Sequence, residues 1–231
     1  DCKPEFIVVD HYALDATWMS IVKVSNAKIL VIDDLGDRNL ICDILLDQNL
    51  GASAEKYDGK LPINCRLFLG PTFALLRSEF REWRERSLEG RLDRNIENIL
   101  ITMGGVDAEN YTLQILKEIT KSKYAKKCAF TVIIGRSYPH TNTLYEFLNA
   151  SKLRVSVLSN VKNMAEIMSE ADLCIGAAGS TSWERCCLGL PTISLAIADN
   201  QIGVLDQLEK NACTIASSVD RFLADFEKLL S

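Results

Sequence analysis

In the stretch "CIGAAGSTSWERCCLGLP", residues 174–191, an apolar run gives way to glycine, alanine, serine and threonine, and a helix-type segment then ends at Gly189 and Pro191. Small residues such as Gly179 and Ser180 let a ligand approach the backbone. A helix beginning at residues 179–181 would offer N–H groups and a partial positive charge, a cradle for a diphosphate. Glu184 admits two roles. With Thr181 it spells a capping box, in which the threonine oxygen accepts from the Glu184 N–H and the carboxylate reaches back to the Thr181 N–H. In the other role the carboxylate accepts hydrogen bonds from a ribose diol. No lysine follows glycine in the frame of a P-loop and no GxGxxG occurs, which counts against ATP and NAD.

"FIVVDHY" places Asp10, His11 and Tyr12 at the carboxyl end of a buried-type strand. A neutral imidazole there can act as a general base near pH 7; a solvated loop histidine is the plainer account. His140, after Tyr138 and Pro139, is read as a capping or solvated residue. Strand alternation sends Asp33 and Asp34 to opposite faces, so both are given structural roles, with Asp37 and Arg38 as turn or ion-pair partners. The eight cysteines show neither zinc-type spacing nor CxxC and sit mostly in apolar runs. They read as reduced, small buried hydrophobes, and no metal site is expected.

The elements that would hold these residues follow from periodicity. From Glu97 onward strand-type runs ("NILITMGG", "CAFTVIIG", "RVSVLS", "DLCIGAAG", "PTISLAI", "CTIAS") alternate with helix-period segments six times. Such alternation predicts a parallel sheet covered on both faces, with ligands bound outside the carboxyl ends of the strands. The loops there carry Gly104 and Gly105, Gly135 and Arg136, Asn160 to Met164, Gly176 to Thr181, and Asn200 with Gln201. The first part offers about three strand candidates, "EFIVVD", "KILVIDD" and "CDILLDQN", with a helix in "ALDATWMSIVKVS". A charge-dense helix and linker, "LLRSEFREWRERSLEGRLDRN", follows, and the boundary is placed near Arg94.

The expected fold is therefore α/β. Residues 1–94 would form a partial N-terminal Rossmann-like domain, its opening βα units absent, plus the linker helix. Residues 95–231 would form a complete C-terminal Rossmann-like domain. Starting at Asp1 just ahead of a buried-type strand, the chain reads as a piece of a longer protein. At 231 residues, 48% of them hydrophobic, it can bury a core. Its net charge of −5 argues against binding nucleic acid. No signal peptide or membrane-length apolar run is evident, so a cytoplasmic location is expected.

"VVDHY", "VIDDLGDR", "CDILLDQN", "LGPTFALLRSEF", "MGGVDAEN", "VIIG", "NMAEIMSEADLCIGAAGSTSWERCCLGLPTI" and "NQ" occur together and in order. This set resembles the UDP-2,4-diacetamido-2,4,6-trideoxy-β-L-altropyranose hydrolases of pseudaminic acid biosynthesis, over nearly the whole chain. The resemblance implies a GT-B-like, MurG-like architecture with UDP held by the C-terminal domain. It further implies hydrolysis of a UDP-linked sugar by water at the anomeric carbon, in a pathway that serves flagellin glycosylation, with UDP-sugar and water as partners and no cofactor. Glu184 would then bind the ribose hydroxyls, Ser180 and Thr181 the diphosphate, and Asn163 with Met164 would flank the uracil. Tyr12 and Asn200 would line the sugar side, and Gly104 and Gly105 would allow close approach. Gly135, Gly179 and Gln201, on the neighbouring loops, complete the expected UDP site. The family's catalytic histidine lies in a GxGHxxR-like turn that this sequence lacks, so within this chain His11 would have to substitute. The alternatives are a MurG-type UDP-sugar transferase and an inactive nucleotide-binding fragment.

Overall fold

A computed structural model describes residues 4–23 and 27–229, Leu92 by its backbone alone. The chain divides into two compact units at Leu75/Leu76.

In the first unit, β1 (Phe6–Val9), α1 (Ala16–Val22), β2 (Lys28–Ile32), β3 (Ile44–Asp47) and β4 (Arg66–Leu69) follow in order. The four strands lie parallel in the order β1-β2-β3-β4. Asp15 starts α1, its Oδ1 accepting from the N–H groups of Thr17 (2.9 Å) and Trp18 (3.2 Å), which supplies donors the helix cannot pair itself. Val24 and Ser25, expected to continue this helix, lie outside the described residues. Val9, Met19, Ile29, Val31, Leu45 and Tyr57 form the core. β4 is the strand that the sequence reading lacks. "RLFL" is short and partly exposed and carries no alternation, and it becomes a strand by pairing with β3 from Ile44↔Arg66 to Asp47↔Leu69.

Asp33 and Asp34 lie just past the end of β2 and take different partners. Asp33 is buried, pairs with Arg38 Nη1 at 2.7 Å and accepts the Gly36 N–H at 2.8 Å. Asp34 accepts from the Tyr12 hydroxyl (2.8 Å) and Asn49 Nδ2 (3.0 Å).

The second unit opens with α2 (Ser78–Leu88). It continues β5 (Asn98–Thr102), α3 (Tyr111–Thr120), α4 (Tyr124–Lys127), β6 (Ala129–Ile134), α5 (Thr141–Ala150), β7 (Arg154–Ser159), α6 (Met164–Glu170) and β8 (Leu173–Ala177). After these come α7 (Thr181–Cys187), β9 (Thr192–Ala196), α8 (Ile202–Lys210), β10 (Ile215–Ser218) and α9 (Val219–Leu229). All six strands are parallel, in the order β10-β9-β8-β5-β6-β7. Counted from β5 this is the doubly wound order 6-5-4-1-2-3, whose direction reverses between β5 and β8. Its central strands, such as the wholly buried β8, are apolar because helices cover both faces.

The charged segment that the sequence reading placed in the linker before Arg94 belongs to this second unit. Phe80, wholly buried, and Trp83 sit one turn apart on α2 and pack with Leu100, Met168, Leu188 and Leu190. Arg91, also buried, donates to the carbonyls of Ser87 (3.0 Å) and Ala171 (2.8 Å) and to Ser87 Oγ (2.6 Å). A helix polar in composition is thus fixed by one apolar stripe. Phe80→Ala is expected to remove about 3–5 kcal/mol from the stability of the second unit, measured by urea unfolding. A helix acting only as a linker would leave that stability unchanged.

Candidate functional site

Because all six strands of the second unit are parallel, the loops after β5, β6, β7, β8 and β9 leave from one edge of the sheet. Those after β5 and β8 flank the reversal of strand order, where doubly wound proteins hold ligands.

The loop after β5 is built for close backbone approach. Gly104 has φ +85°, and a methyl group at Gly104 or Gly105 would meet no atom within 4 Å. Gly135 has a different reason: a methyl group there would lie 1.8 Å from the Gly105 carbonyl oxygen, so the second loop carries the first on its backbone. Two side chains reinforce this contact. The Tyr138 hydroxyl donates to Asn110 Oδ1 (2.5 Å), and His140 Nε2 donates to the Ala108 carbonyl (2.7 Å). His140 is therefore a loop fastener, in place of the capping or solvated role read from the sequence. Burial and the nearby Asp107 push the Tyr138 hydroxyl up to about 12. Asp107 accepts from the N–H groups of Tyr111 (2.8 Å) and Thr112 (2.9 Å), so the chain's own carboxylate occupies the start of α3.

At the loop after β8 the capping box does not form. Ser180 has helical backbone angles and its side chain makes no capping bond. Thr181 Oγ1 accepts instead from Arg185 Nη1 (3.2 Å), which lies on the same side of the helix one turn on. The Glu184 carboxylate turns outward: Oε1 accepts from Arg77 Nη2 at 3.2 Å. A charge-assisted bond outcompetes a neutral backbone donor. Burial raises the Glu184 carboxyl above its ordinary range, Arg77 opposes that rise, and Glu79 adds to it.

Arg185, a residue the sequence reading passed over, is 1% exposed. Its guanidinium also donates to the Ala177 carbonyl (2.9 Å) and Ser182 Oγ (2.9 Å), fastening the β8–α7 loop from beneath. A methyl group at Gly176 would lie 2.5 Å from its Nη1. The available signal was an arginine amid "WERCCLGL" opposite a glycine in a buried strand. The helix ends as "LGLP" predicts: Gly189 has φ +60°, Gly189 N–H donates to Cys186 O (3.1 Å) and Leu190 N–H to Arg185 O (3.0 Å).

The remaining expected residues are distributed. Gln201 Oε1 accepts the Ile197 N–H (3.1 Å), and its Nε2 lies 3.9 Å from the position of a Gly179 methyl, joining the fifth loop to the fourth. Asn200 sits in the exposed turn Asp199–Gln201. Asn163 Nδ2 donates to Glu166 (2.6 Å) at the start of α6, and Met164 packs on the cluster beneath α2 and α6. Both follow the edge strand β7, three positions from β8.

In the first unit, His11 and Tyr12 follow β1 and are exposed. His11 Nδ1 accepts the Ala13 N–H (3.1 Å), so the neutral ring carries its proton on Nε2. Among the described residues no group of three His, Cys, Asp or Glu is placed to hold a metal ion, and the seven described cysteines are free; Cys2 lies outside them. No helix among the described residues is long and apolar enough to cross a membrane.

Residues 98–223, more than half of the chain, match the glycosyltransferase family 28 C-terminal domain, and the chain belongs to that family. Among individual relatives, the UDP-2,4-diacetamido-2,4,6-trideoxy-β-L-altropyranose hydrolase of Campylobacter jejuni is 29% identical over 209 residues, 90% of this chain and 72% of that protein. A Helicobacter pylori protein named as a pseudaminic acid cytidylyltransferase and the same hydrolase is 24% identical over 97% of this chain, which spans 40% of it. In fold, the chain is similar to MurG of Acinetobacter baumannii (TM-score 0.56, 16% identity, 94% of this chain and 67% of that one). It is also similar to the UDP-GlcNAc 2-epimerase of Methanocaldococcus jannaschii (TM-score 0.61, 14% identity, 99% and 69%). These agree with two parallel sheets in an α/β, GT-B-like fold.

Gly135→Ala is expected to cost about 1–3 kcal/mol or more by forcing the first two loops apart, while Gly105→Ala, facing open space, stays near wild type. Thermal unfolding of the two variants side by side checks this.

Proposed function

We propose that the chain is part of a nucleotide-sugar hydrolase that cleaves a UDP-linked 2,4-diacetamido-2,4,6-trideoxy sugar into UDP and the free sugar. The supporting observation is its similarity to the Campylobacter hydrolase along 90% of its length. The loop Gly179–Thr181 at the reversal of the sheet agrees with it, because small residues there suit a diphosphate. In this reading Ser180 and Thr181 meet the diphosphate, Glu184 the ribose hydroxyls, and Asn163 with Met164 the base. Gly104, Gly105, Gly135, Gly179 and Gln201 shape the backbone around them.

The reaction is a direct displacement. Water attacks the anomeric carbon from the face opposite UDP, the C–O bond to the diphosphate breaks, and the configuration inverts. Donors of the β8–α7 loop stabilise the charge that develops on the departing diphosphate. Tyr12, Asn200 and His11 are assigned to the sugar and the water. His11 can serve as a base only through Nδ1, exchanging the Ala13 N–H for the water proton.

A UDP-sugar transferase is the second reading, favoured by the family 28 match. Incubation of the full chain with the UDP-linked sugar and no acceptor separates the two. UDP release at the same rate with or without an acceptor supports hydrolysis, and dependence on an acceptor overturns it. Glu184→Ala is expected to weaken UDP about 10- to 100-fold by calorimetry, the worth of hydrogen bonds to a charged group. It should also abolish the preference for UDP over 2′-deoxy-UDP.

A further inference from the structure

Glu184 and Arg77 are 107 positions apart in sequence, yet their side chains meet at 3.2 Å. The helix that starts at Arg77 runs beside α7 and is held to it at the far end. There Ser87 Oγ donates to the Leu188 carbonyl (2.8 Å), Arg84 donates to the Cys187 carbonyl, and Leu88 occupies the space a methyl group at Gly189 would need. At the near end, Arg77 is steadied by its own surroundings. Its Nη1 pairs with Glu79 at 2.9 Å, and its guanidinium lies over the ring of buried Phe80, 5.1 Å from the centroid. The Glu184 side chain is 15% exposed and that of Arg77 47%, so the pair is open to solvent on the arginine side.

A carboxylate that is to accept from a vicinal diol must be ionised and held in one rotamer. Burial of Glu184 works against the first requirement, and the capping position on its own helix competes for the second. Arg77 meets both by taking Oε1. We propose that Arg77 is a positioning residue of the nucleotide site, holding Glu184 as an ionised acceptor turned away from its own helix so that Oε2 can receive a ribose diol. This inference rests on the nucleotide reading given above. Arg77 itself contacts Glu184, not the reacting atoms. The charged groups facing Glu184 are Arg77, just before α2, Glu79 from α2 and Arg185 from its own helix.

The test is the pH dependence of UDP and 2′-deoxy-UDP binding to the full chain, by calorimetry, for wild type, Arg77→Gln and Arg77→Lys. A neighbouring opposite charge favours the ionised carboxylate, and the exposure of Arg77 moderates the effect. The acid limb of UDP affinity is therefore expected to move to higher pH in Arg77→Gln. On the acid side of the limb the variant then binds about two- to fivefold more weakly than wild type, the worth of a partly exposed ion pair. At alkaline pH the gap narrows to a small loss confined to UDP, from the rotamer no longer held, Arg77→Lys returns most of the shift, and 2′-deoxy-UDP shows little of it.

A wild-type limb in Arg77→Gln, with UDP still preferred over 2′-deoxy-UDP, overturns this inference and leaves the nucleotide site standing. A loss equal at every pH and equal for both nucleotides marks a merely structural arginine and also overturns it. If wild type binds no UDP, the proposed function itself fails and the inference falls with it.

Discussion

Parallel pairing of β5 with β8 is the constraint on which the second unit depends. With strand order reversing at that pair, the helix after β5 and the helix after β8 cover opposite faces. α3 packs with α5 and α9 on one side through Leu116, Leu144 and Phe222, while α2, α6 and the end of α7 gather on the other around Leu100 and Met168. Two loops leaving in opposite directions open a crevice between them. The glycines then divide by physical need. Gly104 takes a left-handed backbone, Gly135 admits the backbone of Gly105, and Gly176 makes room for the Arg185 guanidinium.

Two buried arginines hold the α2 face together through neutral acceptors. Arg91 ties the end of α2 to the turn before β8, and Arg185 ties the loop after β8 to its helix. A buried charge is tolerable when its donors are matched by hydrogen bonds, and burial lowers the pKa of Arg91, as expected for a desolvated cation. The consequence is directional. The same strand, β8, is anchored at its amino end by Arg91 and at its carboxyl end by Arg185, so the loop that begins at Gly179 departs from a fixed point.

Much of this was legible from residue order. The six alternations after Glu97 and the stop at Gly189 are local patterns, and each was readable from a few neighbouring residues. What escaped were contacts between residues distant in sequence. Thr181 and Glu184 do carry the spacing of a capping box, but the box loses to Arg77, whose approach no local pattern records. β4 has no amphipathic signature and exists through its partner strand. α2 reads as a charged linker because its apolar stripe is short, although Phe80 commits it to the core. Arg185 was hidden for another reason: beside Glu184 in a short helix it looks like half of a surface charge pair, and no local pattern shows that its guanidinium is buried under the β8–α7 loop.

A protein named as a UDP-sugar hydrolase, one named as a UDP-N-acetylglucosamine transferase and one named as a UDP-GlcNAc 2-epimerase stand among the relatives and fold neighbours of this chain. A shared fold across different reactions means that the doubly wound unit cannot by itself choose the chemistry. If it serves the nucleotide, the choice between water and an acceptor falls to side chains elsewhere. In the first unit the carboxyl ends of β1, β2 and β3 are linked by one polar chain, in which the Tyr12 hydroxyl and Asn49 amide both donate to Asp34. Asp34 thereby fixes the Tyr12 side chain by taking the proton of its hydroxyl. Ordering these three strand ends therefore needs only side chains of the first unit and no contact with the nucleotide.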